Sequence, residues 1–508
     1  MAKNKLYLRL VSVLFFLLSA CSSVPELADK KTSYRLLPAD DSPLAIHVGP
    51  QVSEHPEQTG AIPLINGLDA FIARLALIKS ANTSIDLQYY IYRNDDAGKL
   101  LIWHVLDAAE RGVRIRILLD DLTSKNLDQG LLNLASHRNI DVRLFNPSFF
   151  RRFRGLEFIT GFSRMNRRMH NKSLTVDNSA TIVGGRNIGN EYFSNNEDVD
   201  FGDFDLMVIG EAVEKVSTQF DRYWNADTSF PIASLTNNVT AADDELERLG
   251  SLLELEREAF ESNQYVGRLK LSQLLQQIQE NRLIWHWGKS EVVYDPPEKA
   301  KNQLQQEWLL SDLSRFLSGA QKEVLIVSPY FVPTKAGTRS LVQSANAGLD
   351  ITIITNSLAA TDVLAVHAGY QGYRQPLLKA GIKIYEVKVD PLNKPSSWSG
   401  SSRSSLHAKT FVLDRKSIFV GSFNFDPRSA HINTEMGIMF HNAIFANAVV
   451  VGVEEGLADS TYQLALEGGE LIWIDEEKNR VIYAEPDAGF WRKFMADLIA
   501  LFPLESQL

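Results

Sequence analysis

Two stretches of this 508-residue chain carry the same reactive residue types at the same spacing. In Met169-His170-Asn171-Lys172-Ser173-Leu174-Thr175-Val176-Asp177 and in Leu406-His407-Ala408-Lys409-Thr410-Phe411-Val412-Leu413-Asp414, a histidine precedes a lysine by two positions and an aspartate by seven. Six residues separate each aspartate from a glycine, and an asparagine follows three positions later: Gly184 with Asn187, Gly421 with Asn424. In a strand, residues two apart share a face, so each histidine projects with its lysine while the aspartate projects the other way. Asp177 and Asp414 are therefore expected to be structural. Gly184 and Gly421 would let the backbone pass close to the site and bring Asn187 and Asn424 beside the pairs. An imidazole, an ammonium and a carboxamide from each copy suit a tetrahedral anion such as a phosphodiester. One histidine must be neutral to attack phosphorus, and the other protonated to release an alkoxide. The same-face lysines would repel a metal cation, so neither a metal nor another cofactor is expected.

The elements that must position these groups repeat as well. A helical stretch from Ala70 to Lys79 leads to a strand over 84–92, a helix over 100–111 and a strand over 113–119; helix, strand (324–332), helix, strand (349–354) return near residue 310. Gly112 matches Gly348 and Tyr90 matches Tyr330, at offsets of 236 and 240, and the histidines at 170 and 407 stand 237 apart. Strands alternating with helices imply βαβ units and a mostly parallel or mixed sheet in each half. The expected class is α/β, with two pseudo-symmetric halves. They span 58–234 and 306–508, the second ending in a C-terminal helix, and 235–305 forms a helical connector with helical patterns at Asp243–Glu261 and Leu269–Arg282.

Composition is that of a folded protein, 45% hydrophobic and 22% charged, and the net charge of -10 disfavours nucleic acid as a partner. The single cysteine, Cys21, excludes an intramolecular disulfide and a cysteine-based zinc site. It follows Lys3, Lys5, Arg9 and a short apolar run, the layout of a secretory signal. Leu18-Ser19-Ala20-Cys21 resembles the lipobox of bacterial lipoproteins, which implies cleavage before Cys21, lipidation of its thiol and a place in the cell envelope facing the periplasm. Residues 1–21 are thus expected to be a signal peptide, and the polar stretch 22–57 a tether.

The paired H-x-K-x4-D motifs with their glycine and asparagine extensions resemble the HKD motifs of the phospholipase D superfamily, over about 62 to 440. Together with the lipobox, Arg428, Ser429 and the closing Phe502-Pro503-Leu504-Glu505, they look most like the bacterial cardiolipin synthases. The resemblance implies two α/β/α halves with one active site at their interface. It further implies a phosphatidyltransferase that passes a phosphatidyl group through a phosphohistidine to phosphatidylglycerol, with phosphatidylglycerol or phosphatidylethanolamine as donor. His170 would be the nucleophile and His407 the acid and base, an order that the near-symmetric sequence does not itself decide. The family orients each histidine with a downstream acid. Glu435 fills that place in the second half; aligning Phe204-Asp205-Leu206-Met207 with Thr434-Glu435-Met436-Gly437 selects Asp205 in the first, with Asp203 as competitor. The same residues would serve a phospholipase D that uses water; a nuclease or a non-enzymatic effector fits the anchor, acidic balance and intact motifs less well.

Three further segments bear on lipid. Phe149-Phe150-Arg151-Arg152-Phe153-Arg154, with Phe158, Phe162, Arg164, Arg167 and Arg168, reads either as a membrane interface whose arginines meet head-group phosphates or as a partly buried loop with solvated charges. Phe490, Trp491, Phe494, Met495, Leu498, Ile499 and Phe502 form a helical stripe, and the commoner meaning of such a stripe is a core-facing helix. Pro395 to Ser405 reads as a lid or as an ordinary flexible loop.

Overall fold

The computed structural model of the chain describes residues 30–124, 126–196, 201–235, 250–251, 254–255, 264–389 and 405–508. The signal, Cys21, most of Asp243–Glu261 and all but the end of Pro395–Ser405 lie outside the described residues.

The first half contributes strands β1 (Thr59–Leu64), β2 (Ser84–Tyr89), β3 (Arg114–Asp120), β4 (Ile140–Phe145), β5 (Ser173–Val176), β6 (Ala180–Gly184), β7 (Phe201–Gly202), β8 (Asp205–Gly210) and β9 (Ser229–Pro231). Strand β10 (His286–Tyr294) follows. The second half then supplies β11 (Glu323–Val327), β12 (Asp350–Asn356), β13 (Lys383–Val387), β14 (Ser405–Leu406), β15 (Thr410–Leu413), β16 (Ser417–Gly421), β17 (Met436–His441), β18 (Thr461–Glu467), β19 (Glu470–Asp475) and β20 (Arg480–Ile482).

The pairings mirror each other. Strands β2, β3 and β4 are parallel neighbours, as are β11, β12 and β13. The antiparallel run β2-β5-β6-β8 matches β11-β15-β16-β17. Strand β10 closes the gap between halves: its first residues pair with β1, whose other edge pairs with β8, and the rest pairs with β17. The connector therefore ends in a strand that stitches two sheets into one of 18 strands, where a purely helical segment was expected. Its described helices are Gln264–Lys270 and Gln273–Gln279.

Local chemistry explains the repeat. Helix Gly67–Ser80 is capped by Asn66 and helix Asp96–Glu110 by Asp95, whose side-chain oxygens accept first-turn N–H groups. Gly112 and Gly348 leave their helices at φ of +96° and +101°, a left-handed turn that costs glycine little before each second strand. The central strands are Val/Ile/Leu-rich because both sheet faces are covered. One core lies in the outer layer of each half, and a third joins them, packing Val183, Leu206, Val208 and Val216 against Val327, Val412, Ile438 and Phe440.

Two expectations are corrected here. Residues 30–57 are not a free tether. The main chain of Lys31 and Ser33 accepts hydrogen bonds from the buried Arg143 and Arg116, Trp224 donates to Ser33 Oγ at 2.8 Å, and Pro43–Glu54 is a helix. Part of that anchoring uses backbone carbonyls, which hydropathy does not register, and part buries Leu44 and Val48 in the first half's core. Nor does helix Phe490–Ala500 face the core: Ala496 is its one buried residue, while Phe490 and Trp491 are 72% and 73% exposed. Among the described residues no helix is long and apolar enough to cross a membrane.

Candidate active site

Each histidine–lysine pair sits on the entry to a short strand, His170 and Lys172 before β5 and His407 and Lys409 before β15. What holds them there comes from the other half. The His170 N–H donates to Thr434 O at 2.8 Å, and the His407 N–H to Gly202 O at 2.7 Å. The residue after each of those carbonyls is an acid, so the chain crossing delivers a carboxylate to the opposite half's imidazole. His170 Nδ1 is 2.8 Å from Glu435 Oε2, and His407 Nδ1 is 2.5 Å from Asp203 Oδ2. All four groups are buried.

Asp205, the residue selected by the sequence alignment, is corrected by strand register. Gly184 stands opposite Asp205 and Gly421 opposite Gly437, so Asp205 corresponds to Gly437 and Asp203 to Glu435. Asp205 instead lies in the first half's interior, where it accepts from Arg74 at 2.9 Å and from the Arg186 N–H at 3.1 Å. The glycines serve this packing: a Cβ on Gly184 would overlap Asp205, one on Gly185 would overlap the Asp203 carboxylate, and one on Gly421 would overlap Met436 O. The spacing from glycine to acid differs between the copies, 19 residues from Gly184 to Asp203 against 14 from Gly421 to Glu435, so sequence counting does not find Asp203.

Asp177 and Asp414 point away from the histidines, at φ of +51° and +52°. Asp177 accepts from the N–H groups of Asn82, Thr83 and Ser84, and Asp414 from those of Gln321, Lys322 and Glu323. Each ties its motif to the start of the neighbouring antiparallel strand, β2 or β11.

The asparagines are less alike. Asn187 is engaged, accepting from the Ile91 N–H at 3.1 Å and donating to Tyr192 Oη at 3.0 Å. Asn424 leaves its Oδ1 buried without a protein partner. Lys172 donates to the His170 carbonyl at 2.6 Å and Lys409 to that of His407, which leaves each ammonium donors for an anion. Lys409 Nζ is also 3.0 Å from His407 Nδ1, a contact in which it can donate only when that nitrogen carries no proton.

Electrostatics separate the half-sites. Burial pushes Glu435 up to about 7, although Lys172 and the hydroxyls of Ser422 and Ser429 oppose it. Burial also acts on Asp203, but His407, Lys409 and Arg186 outweigh it and hold its carboxyl below the usual value. His170 is driven well below the ordinary imidazole value by burial and then by Lys172 and Lys409; His407 is lowered by burial and Lys409, with Asp203 partly restoring it. Chiefly through burial, Lys172 falls to about 7 and Lys409 to about 8.

Sequence reasoning missed the aromatic walls. Tyr90 stands edge-on to His170 with ring centres 5.1 Å apart, and Tyr192 to His407 at 5.3 Å, with Phe201 at 5.1 Å. Ser422 and Ser429, which bond Glu435 at 2.5 and 2.9 Å, were also unassigned. The repeat of Tyr90 as Tyr330 was the one sequence hint of a wall. Four arginines of the 149–168 segment, read either as meeting phosphates or as solvated charges, are instead paired with acids. Arg151 and Arg154 pair with Asp121 and Asp128, Arg164 with Glu157, and Arg168 with Asp120.

A duplicated α/β sheet whose halves exchange carboxylates over paired histidines and lysines is the two-half architecture of phospholipase D-like enzymes. A family model described as "Cardiolipin synthase, PLD-like domain" matches residues 75–224 and 313–454. Cardiolipin synthase C of Escherichia coli (strain K12) is 40% identical over 472 residues, covering 91% of this chain and 99% of that protein. The major cardiolipin synthase ClsA of Bacillus subtilis (strain 168) is 26% identical, over 82% of this chain and 74% of its own length. Among solved structures, phosphatidylserine synthase from Haemophilus influenzae shares the fold, with a TM-score of 0.57, 11% identity and coverage of 91% and 99%. The chain belongs to the cardiolipin synthase family of phospholipase D-like phosphatidyltransferases.

Proposed function

We propose that the protein makes cardiolipin, transferring a phosphatidyl group from one phospholipid to the free hydroxyl of phosphatidylglycerol through a phosphohistidine at His170. The observation that carries this is the unequal pairing of the two imidazoles. His170 Nδ1 lies 3.1 Å from the Ser422 carbonyl, which can only accept, so its Nδ1–H is held and its Nε2 lone pair is available, while burial raises the facing Glu435 carboxyl to about 7. His407 faces an ionised Asp203 at 2.5 Å, the partner that stabilises an imidazolium.

In the first step His170 Nε2 attacks phosphorus, the bond to the head-group oxygen breaks, and His407 gives that oxygen its proton. Glycerol leaves if the donor is phosphatidylglycerol, ethanolamine if it is phosphatidylethanolamine. His407, now neutral, takes the proton of the incoming lipid hydroxyl, whose oxygen attacks phosphorus as the bond to His170 breaks. Lys172 and Lys409 offset the negative charge gathered at the pentacoordinate phosphorus, and Asn187 and Asn424 border it. The proposed setting is a periplasm-facing lipoprotein anchored through Cys21, which places the site beside its substrates.

The test is product identity. Purified protein incubated with phosphatidylglycerol vesicles, with and without phosphatidylethanolamine, is expected to yield cardiolipin as the main product by mass spectrometry. Phosphatidic acid without cardiolipin would replace transfer by hydrolysis.

A further inference from the structure

The C-terminal helix Phe490–Ala500 is held by one side only. Its Arg492 donates to Leu358 O at 2.6 Å and to Thr361 O, and Ala496 packs inward. Phe490, Trp491, Phe494, Met495 and Leu498, with Leu501 and Phe502 just beyond, are exposed. At 100° per residue these seven side chains fall within an arc of about 140°, opposite Ala496. A stripe that regular is a face.

A second apolar ridge adjoins it. In helices Arg154–Thr160 and Phe162–Met165 and the turn before them, Phe153, Leu156, Ile159 and Phe162 project outward, Ile159 with 81% exposure. The segments that follow the two ridges meet at one seam, where Asn166 Nδ2 donates to Gln507 Oε1 at 2.9 Å. Arg428 clamps that seam, donating to Asn166 O at 2.7 Å while its own N–H reaches Leu508 O at 2.5 Å. Arg428 acts electrostatically on Tyr90, whose ring stands against His170, so the seam borders the His170 half-site.

We propose that these two ridges form one docking face that enters the acyl boundary of a phospholipid bilayer and sets the active site at head-group level. Choosing a bilayer as the occupant rests on the lipid substrate proposed above. Two further observations favour it over a second copy or another protein. Hydrogen bonds from Asn166 and Arg428 tie the C-terminal segment to the stretch that runs into His170, and the face carries Trp491 and phenylalanines, residues suited to the membrane–water boundary. The arginines beneath the second ridge are consumed by Asp121, Asp128 and Glu157. Docking is therefore apolar and needs no anionic lipid.

The experiment uses the full-length protein in phosphatidylcholine vesicles with and without bromine on the acyl chains, and compares wild type with Trp491→Phe by tryptophan fluorescence. Bromine quenching is expected to fall about twofold in the variant, and to be unchanged by about 0.5 M salt in either protein. Equal quenching in both proteins, or quenching that requires anionic lipid, overturns the proposal. So does a Trp491-dependent dimer in vesicle-free buffer whose Trp491 escapes quenching. A companion variant, Phe494→Ser with Leu498→Ser, is expected to raise the apparent KM for vesicle lipid about fivefold and to leave turnover of a detergent-dispersed short-chain lipid within about twofold. The quenching readout needs no turnover: quenching without any lipid product would sink the cardiolipin reading and leave the docking face standing.

Discussion

The half-site around His170 and the half-site around His407 use the same residue types at the same backbone positions, yet they hold charge differently. Glu435 is fully buried beside two serine hydroxyls and rises to about 7, whereas Asp203 sits among His407, Lys409 and Arg186 and stays ionised. The difference lies in what opposes burial: His407, then Lys409 and Arg186, outweigh it at Asp203, whereas Lys172 and two serine hydroxyls do not at Glu435. A duplicated site can divide acid from nucleophile without changing either histidine, because the neighbours of the carboxylates decide how firmly each imidazolium is supported.

Replacing the histidines breaks the comparison outright. His170→Ala and His407→Ala are each expected to lower turnover by about 10⁴-fold or more with an unchanged melting temperature. The two should part on a phosphatidyl substrate whose leaving group is p-nitrophenolate, which needs no proton. His407→Ala is expected to release p-nitrophenol and accumulate phosphorylated His170, detectable by peptide mass spectrometry, and His170→Ala to do neither. The carboxylates come next. Asp203→Asn is expected to cost about 10³-fold in kcat and Glu435→Gln about 10-fold at pH 7, since the amide mimics the protonated form that Glu435 already partly adopts. Equal losses would erase the proposed asymmetry.

The smallest effect is on pH. Lys172 at about 7 and Lys409 at about 8 lose their charge as pH rises, so kcat/KM should decline above about pH 7 to 8. Their folded values lie below the unfolded lysine value, so between about pH 7 and 10 the unfolded chain binds more protons and these groups favour folding more as pH rises. Melting temperature followed by calorimetry in Lys172→Met should lose part of this upward slope while activity collapses.

The reactive core of this arrangement was legible because duplication wrote it twice. His170, Lys172, Asp177 and Asn187 recur at one offset, and a strand's period of two separated Asp177 from its histidine. The structural tie of Asp177 to Asn82, Thr83 and Ser84 and of Asp414 to Gln321, Lys322 and Glu323 follows that geometry. What failed were positions fixed by pairing across distance. Asp205 was favoured over Asp203 because Phe204-Asp205-Leu206-Met207 aligns with Thr434-Glu435-Met436-Gly437, and the register of β6 against β8 tells them apart. Residues 30–57 looked like a tether because much of what holds them is carbonyl hydrogen bonding, invisible to hydropathy, with only Leu44 and Val48 buried in the core. The C-terminal stripe was legible as a helix face, but amphipathicity does not say whether protein or another apolar phase lies against it.

The exchange of carboxylates also says when the enzyme comes into being. His170 waits for a partner 265 residues further along the chain, and His407 for one 204 residues back. Such long-range closure is slow and comes late in folding, since the intervening loop entropy must be lost before the contact returns anything. A nascent chain that has emerged only as far as β10 holds one complete H-x-K motif and no working site. Activity is switched on as a single event, when the last sheet docks.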